Sequence, residues 1–526
     1  MKSTIRGAVC IAILYLANSC PGLGQEGGIS ESGRKMDEGV RLYSAGDLDG
    51  AITALRRSVA DWPKNSLAYF NLGLALADKG DLEAAGKAYE QAIALMEAPV
   101  APGGARARTS GAGSILPEAL NNLALVYYQQ NRMDDAALRI KDCVARAPEQ
   151  ADCLLTNGVL LEAQGKLDDA IASYRKAHAV APKLAAASQN LGSALQKKGQ
   201  LDEAIEVLQQ GVGANSRDAD LQLALGSALS AREKFPEAQK AYESSLRVKK
   251  DNPTALYGLG EVYRREGRMT EGLASLKKAN ELAPDDLDTK LAIANLLVEM
   301  DRGDEAAPYI QGLSTSSPND PLLLLVQAKM LIDRNQAKAA QPLLEKALAA
   351  KPDYPEAMAA LASVQINLNK YSEGIAIIQK GLAAHPNSAE LHNALGLLLA
   401  AQSKVAEALA ETDKALALRP GFTDARVNRA ILLERQQHYE EAIAEFQQVL
   451  ATNPQNLKAQ ANFGGTLLLA KRYEEAAAAL QKAIALAPGD ADLHGNLGLA
   501  LQKSGHAAET QKEFALAERL RGPQKK

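Results

Sequence analysis

The stretch ADCLLTNGVLLEAQGKLDDAIASYRKAHAVAPKL, residues 151–184, is followed directly by AAASQNLGSALQKKGQLDEAIEVLQQGVGANSRD, residues 185–218. The two align without a gap over 34 places, with Gly158 over Gly192, Leu161 over Leu195, Asp168 over Asp202 and Ala170 over Ala204. The same interval, or a multiple of it, separates Pro148, Pro182, Pro284, Pro318, Pro352, Pro386, Pro420, Pro454 and Pro488. A fixed period in this range marks a stacked array of repeats, not a set of independent globules.

Placing the Pro at place 32 sets repeats beginning at 32, 66, 117, 151, 185, 219, 253, 287, 321, 355, 389, 423, 457 and 491, fourteen in all. Place 8 is always Gly or Ala, as in Gly73, Gly158 and Ala328, and place 20 is nearly as strict, as in Ala85, Ala170 and Gly272. The restricted places fall at 4, 7, 8 and 11 and again at 20, 24 and 27. That is the spacing of one helical face, met twice, so each repeat reads as two helices. Small residues at 8 and 20 let the two backbones cross closely. Segments such as Gly80-Asp81 and Gly165-Lys166-Leu167-Asp168 mark the turn between the helices, and the Pro at place 32 ends the second one.

This pattern resembles the tetratricopeptide repeat, and repeat four carries it in Gly158, Leu161, Ala170, Tyr174, Ala177 and Pro182. The resemblance runs from residue 32 to 522 and implies an all-α, right-handed superhelical α-solenoid of about fourteen 34-residue helix-turn-helix repeats. One departure is place 4, where the family prefers Trp and this chain has residues such as Leu120, Leu154, His392 and His494. Composition agrees with packed helices: 47% of residues are hydrophobic but only 4% aromatic, so the core consists largely of Ala and Leu. With 59 Lys and Arg against 63 Asp and Glu there is no footprint of a phosphate-backbone binder, and nucleic acid is not an expected partner.

Lys2 and Arg6 precede an apolar run from Gly7 to Ala17 and then small residues and Pro21-Gly22, the layout of a secretory signal peptide. Cleavage after Ser19 or after Gly24 fits, with Gly24 preferred, and the chain is expected to be exported to the periplasm or secreted. Cys20 lies where bacterial lipoproteins carry their acyl chain, although Ala17 stands where that family has Leu. Membrane association is expected only if Cys20 is lipidated. The expected organisation is then signal peptide 1–24, a short disordered segment 25–31, repeats one and two at 32–99, a flexible linker or insertion at 100–116 (VAPGGARARTSGAGSIL), repeats three to fourteen at 117–522, and a basic tail 523–526. Pro308 and Pro342, at place 22 of repeats eight and nine, predict late-starting or kinked second helices there. Leu322-Leu323-Leu324-Leu325-Val326 is apolar all round, which fits either burial on both sides or an apolar groove.

Nothing resembles a catalytic centre. No phosphate loop, HExxH, GxSxG or CxxC is present, and Gly22-Leu23-Gly24-Gln25-Glu26-Gly27 meets the dinucleotide string only beside the leader, without its strand and helix. The six His residues lack ligand spacing, so no metal, cofactor or small-molecule substrate is expected. Cys143 and Cys153 remain after cleavage at Gly24. They suit either a bridge in an oxidising compartment or packing at small buried places.

In tetratricopeptide arrays the first helices line the concave wall and take a peptide or a protein segment, and the resemblance implies the same here. Place 6 faces that wall and holds Asn71, Asn122, Asn190, Asn428, Asn462 and Asn496. The row is similar to the asparagine ladder in the repeats of O-linked N-acetylglucosamine transferases, since a carboxamide both donates to and accepts from a peptide backbone. Repeats six to eleven lack it, and local hydrogen bonding would account equally for each Asn. Phe70, Tyr128, Tyr257, Arg264 and Arg265 are further expected wall contacts. The expected function is a non-catalytic protein-interaction scaffold of the cell envelope. The alternatives are a repeat partner for a separate glycosyltransferase chain and an assembly factor for an envelope export or secretion machine.

Overall fold

The computed structural model describes residues 27–98, 112–300, 302–311, 313 and 317–521. The leader at 1–24, Cys20, the Arg106 and Arg108 stretch of the insertion, and the tail at 523–526 lie outside these residues. Among the described residues there are helices and turns and no strands. Fourteen helix pairs follow one another in chain order, one pair to each 34-residue repeat, giving the all-α solenoid of helix-turn-helix repeats. The chain divides into two compact units, residues 1–232 and 233–526.

The crossing inside each pair has a direct steric cause. A Cβ on Gly73 would come within 2.7 Å of the Tyr89 ring, one on Gly192 within 2.5 Å of Leu208, and one on Gly464 within 2.6 Å of Leu480. Place 8 is therefore pressed against the side chain at place 24. It also meets the backbone at place 20, since a Cβ on Gly260 would be 3.1 Å from the Gly272 carbonyl oxygen. Burying such contacts contributes about 25 cal/mol per Å² of apolar surface, repeated at every pair.

Wherever place 15 is among the described residues, the turn inside the pair uses a left-handed residue there. Gly46, Gly80, Gly165, Gly199, Gly267 and Gly505 supply it without strain, whereas Asn131, Glu233, Asn335, Asn369, Ser403, Gln437 and Lys471 adopt positive φ at the same place. Asp47 and Asp81 cap second helices by accepting the N–H of Gly50 and Ala84. In repeats four and five the cap side chain makes no such bond, and Asp168, Asp169, Asp202 and Glu203 instead place negative charge in the first turn. First helices are capped at place 34 by Asn65, Asp218, Asn252, Asp286, Asp320, Ser388, Asn456 and Asp490.

Several segments differ from the sequence-based expectation. Residues 27–31 belong to the helix Gly27–Ser44, where the disordered segment was expected. Its Ser32 is buried and its hydroxyl donates to the Ser58 carbonyl at 2.8 Å, which ties that helix to its partner. The first helix of repeat three begins at Ala112, inside the expected linker, because Ile115 is buried in the core and Leu116 packs against it. One hydrophobic cluster runs from Met36 to Leu160, so repeats two and three share a core across the insertion. The second helices of repeats eight and nine, Gly303–Ile310 and Ala337–Ala350, both start on register at place 17. The former stops after eight residues, while the latter runs its full length through Pro342. Leu323 to Val326 are buried on both sides, against repeat eight and against repeat ten, and do not form an open groove.

Candidate interaction surface

The side chains at places 2, 6, 9 and 13 share one face of each first helix, through the i, i+3, i+4, i+7 relation, with places 5 and 12 at its edge. In the second compact unit this face is demonstrably an inner wall. Arg265, at the end of the first helix of repeat seven, donates to Glu390 of repeat eleven at 3.1 Å and pairs with Glu356 of repeat ten at 3.5 Å. First helices several repeats apart therefore face each other.

The wall is polar and cross-linked. Arg264 donates to Glu261 at 2.9 Å and to Glu299 of the next repeat at 3.1 Å, and Lys329 of the repeat after that reaches Asn295 at 3.1 Å and Glu299 at 3.4 Å. Burial opposes ionisation of Glu299, but Arg264 and Lys329 outweigh it and hold the carboxyl down at about 2. Burial pushes the Tyr257 hydroxyl up to about 12. Farther along, Asn428 donates to Asn393 at 3.0 Å and accepts from Lys458 at 3.4 Å. Asp424 and Lys458 are exposed on this wall. Burial lowers Arg419 to about 10, and Arg265 and Arg264 add like-charge repulsion.

The place-6 asparagines do not share one environment. Asn71 and Asn462 donate to carbonyls of their own helices, Leu67 and Lys458, at 3.0 and 2.7 Å. Asn122 reaches the hydroxyl of buried Tyr89, and Asn428 is itself buried. Asn190 is half-buried and Asn496 is exposed. Phe70 is not a wall contact: it is buried in the core against Tyr89, ring centroids 5.9 Å apart. Tyr128 is half-buried against the same core, and Tyr257 packs on the cluster of repeats seven to nine. Arg264 and Arg265 are on the wall but engaged within the chain. Cys143 and Cys153 are bonded to each other, with Cα atoms 5.9 Å apart.

Sequence reasoning fixed on place 6 and passed over Glu261, Asn295, Glu299 and Lys329 at places 9 and 13. The signal was available, since places 2, 6, 9 and 13 lie on one face and polar residues there have no stacking role. It also left the departure at place 4 unexplained. His392 and His494 each direct Nδ1 at a carboxylate, Glu411 and Glu513, at 2.6 Å, and Nε2 at the preceding Pro carbonyl, at 2.9 and 3.2 Å. In repeat twelve Arg426 makes the same two contacts, with Glu445 at 2.9 Å and the Pro420 carbonyl at 2.7 Å. A side chain that bridges a carboxylate and a backbone carbonyl thus takes the space of an indole. Among the described residues no group of side chains is arranged to hold a metal ion, and no helix is long and apolar enough to cross a membrane.

Three family profiles match. Two described as tetratricopeptide repeat cover residues 331–398 and residues 36–101, 291–355 and 427–491. A third, described as the cilia and flagella-associated protein 70 C-terminal domain, covers residues 94–315. No curated protein matches the chain. Among solved structures, the chain is similar to one in the crystal structure of the APC/C hetero-tetramer Cut9-Hcn1, at 15% identity and TM-score 0.51 over 94% of both chains. A tetratricopeptide repeat protein from Parabacteroides merdae aligns at 17% identity and TM-score 0.40, over 47% of this chain and 98% of that one. PilF of Pseudomonas aeruginosa aligns at 20% identity and TM-score 0.38, over 41% and 99%. Tetratricopeptide repeats indicate a protein–protein interaction scaffold, and with this periodicity, these helix pairs and these matches the chain belongs to the tetratricopeptide repeat family.

Proposed function

We propose that the chain is a non-catalytic scaffold of the cell envelope that takes peptide or protein segments on the wall formed by its first helices. The observation that carries this reading is where the polar side chains lie. Places 8, 20 and 24 are used up in stacking, whereas Asp424, Lys458 and Asn496 stand exposed on the wall side of first helices. Such groups can pair with the backbone and charges of an extended segment. Export is supported by the layout of Lys2, Arg6 and the Gly7 to Ala17 run, and by the bond between Cys143 and Cys153, since disulfides persist in oxidising compartments.

Photo-crosslinking residues placed at Asn190, Asp424 and Asn496, with Lys278 on the exposed side of a second helix as control, test the assignment of the wall in cells that make the protein natively. Adducts with other proteins are expected from the first three positions and not from Lys278. Adducts confined to Lys278 would move the binding surface to the outer helices. N-terminal sequencing of protein recovered from separated envelope and cytoplasmic fractions tests export, and an intact leader on cytoplasmic protein would refute it.

A further inference from the structure

We propose that the second compact unit latches its own inner wall shut, through Arg265, Glu390, Glu356 and Arg419 and through the seating of the Glu266-Gly267 turn on Gly421, so that the wall opens only when this contact releases. Arg265 of repeat seven is held by Glu390 and Glu356, and Glu390 is shared with Arg419, which closes repeat eleven. The other wall contacts join neighbouring repeats, but these join repeats that are three and four periods apart.

The backbones meet at the same point. A Cβ on Gly267 would stand 2.6 Å from the Gly421 carbonyl oxygen, and one on Gly421 would stand 2.5 Å from that of Glu266. Gly267 is left-handed with φ of 79°, so its turn explains it. Gly421 is not left-handed, and its turn does not require glycine. At the same place 33 other repeats carry Lys183, Arg217, Asp285, Asp353 and Gln455, and repeat thirteen carries Gly489, where a Cβ would meet nothing. At 421, by contrast, the Glu266 carbonyl leaves no room for a Cβ.

The contact is built to release. It consists of ion pairs with no apolar seam of the kind that stacks the repeats; Arg265 and Glu356 keep 29% and 32% of their side-chain exposure, and Glu390 and Arg419 keep 15% and 14%. A cleft of about 470 Å³ remains beside it, lined by Phe235, His385 and Leu418 together with the charged groups. On the enclosed side lie Arg264, Glu299 and Asp424. Asp424 is exposed to solvent, and desolvation by the protein around it raises its carboxyl.

Spin labels carried on unnatural amino acids at exposed Lys278 and Gln447, one on each side of the contact, report its closure by pulsed dipolar spectroscopy on the full chain. The parent should give one narrow distance distribution. Arg265→Glu, which sets a carboxylate against Glu390 and Glu356, and Gly421→Ala, which wedges the backbones apart without altering charge, should each shift it to longer distances and broaden it. Circular dichroism verifies that each variant folds; should Arg265→Glu fail to, Gly421→Ala decides. An unchanged distribution in the folded variants overturns the latch. No ligand enters the measurement, so it succeeds or fails apart from the reading of this wall as the binding face. Only the consequence, that a partner must release the latch, rests on that reading.

Discussion

Gly158→Ala should destabilise repeat four, although alanine is the better helix former. A Cβ at 158 would run into the ring of Tyr174, which is 1% exposed and held at its far end by a hydroxyl bond to Glu162 at 3.1 Å. The ring has nowhere to retreat. Overpacking of this kind costs about 1–3 kcal/mol, against a helix-propensity gain of about 0.5–1 kcal/mol, leaving a net loss of up to about 2.5 kcal/mol. The chain supplies its own controls. Ala124 and Ala362 occupy the same place opposite Ile140 and Ile378, and Ala430 opposite Phe446, a ring with no hydroxyl to anchor. Gly158→Ala should therefore cost less in a Tyr174→Ile or Tyr174→Phe background, and the double-mutant cycle should give a coupling on the order of 1 kcal/mol. Repeat arrays unfold in segments, so the assay is hydrogen exchange of peptides spanning 151–180, not one global melting curve. A stabilising Gly158→Ala, or costs that simply add, would refute steric pressure as the reason for small residues at place 8.

Four further outcomes are expected. The Glu299 carboxyl is held at about 2, so its folded-state value lies below the unfolded one; its contribution, up to roughly 3 kcal/mol, is present above pH 4.5 and is lost as pH falls toward 2. Hydrogen exchange of repeats seven to nine should speed up over that window in the parent and lose that dependence in Glu299→Gln. Gln437→Gly relieves a left-handed residue with φ of 64° and should gain about 0.5–1 kcal/mol in urea unfolding, while Gly165→Ala at the equivalent turn should lose a similar amount. His494→Ala should loosen the last helix pair by about 1–3 kcal/mol and His494→Arg should largely restore it, read by exchange in 491–521; equal losses in both would rule out the bridge from Glu513 to the Pro488 carbonyl. Replacing Cys143 and Cys153 by Ala removes a cross-link over a separation of 10 residues and should cost about 2–3 kcal/mol, measurable as a lower urea midpoint.

The repeat pattern was legible because every repeat obeys the same steric rule. Gly or Ala at place 8 and Pro at place 32 recur at fixed intervals, and the helix pairs fall on that register even where Pro308 and Pro342 suggested trouble. A Pro at the sixth residue removes one backbone donor, and stacking on both sides of the Ala337–Ala350 helix compensates for the loss. Boundaries at the insertion were less legible. A Gly- and Arg-rich composition argues for a linker, but Ile115 and Leu116 find an apolar neighbour in repeats two and three, and burial overrides local preference.

The wall was read least well, and for a reason that applies to any array of this kind. A period averages over repeats, so it reveals what all of them share, which is stacking. Function lies in what they do not share. Phe70 looked like a wall residue because an aromatic near place 6 stands out, yet its ring completes the core beside Tyr89. A Cβ at Gly421 would meet the Glu266 carbonyl, more than 150 positions earlier, a contact that no repeat pattern reveals. Arg265 reaches acids 91 and 125 positions away, distances that no alignment of adjacent repeats would pair. Residues that break the register at exposed places are therefore the ones to test first. Here they gather at the ends of the first helix of repeat seven and of the second helix of repeat eleven, where the inner wall of the second compact unit meets itself.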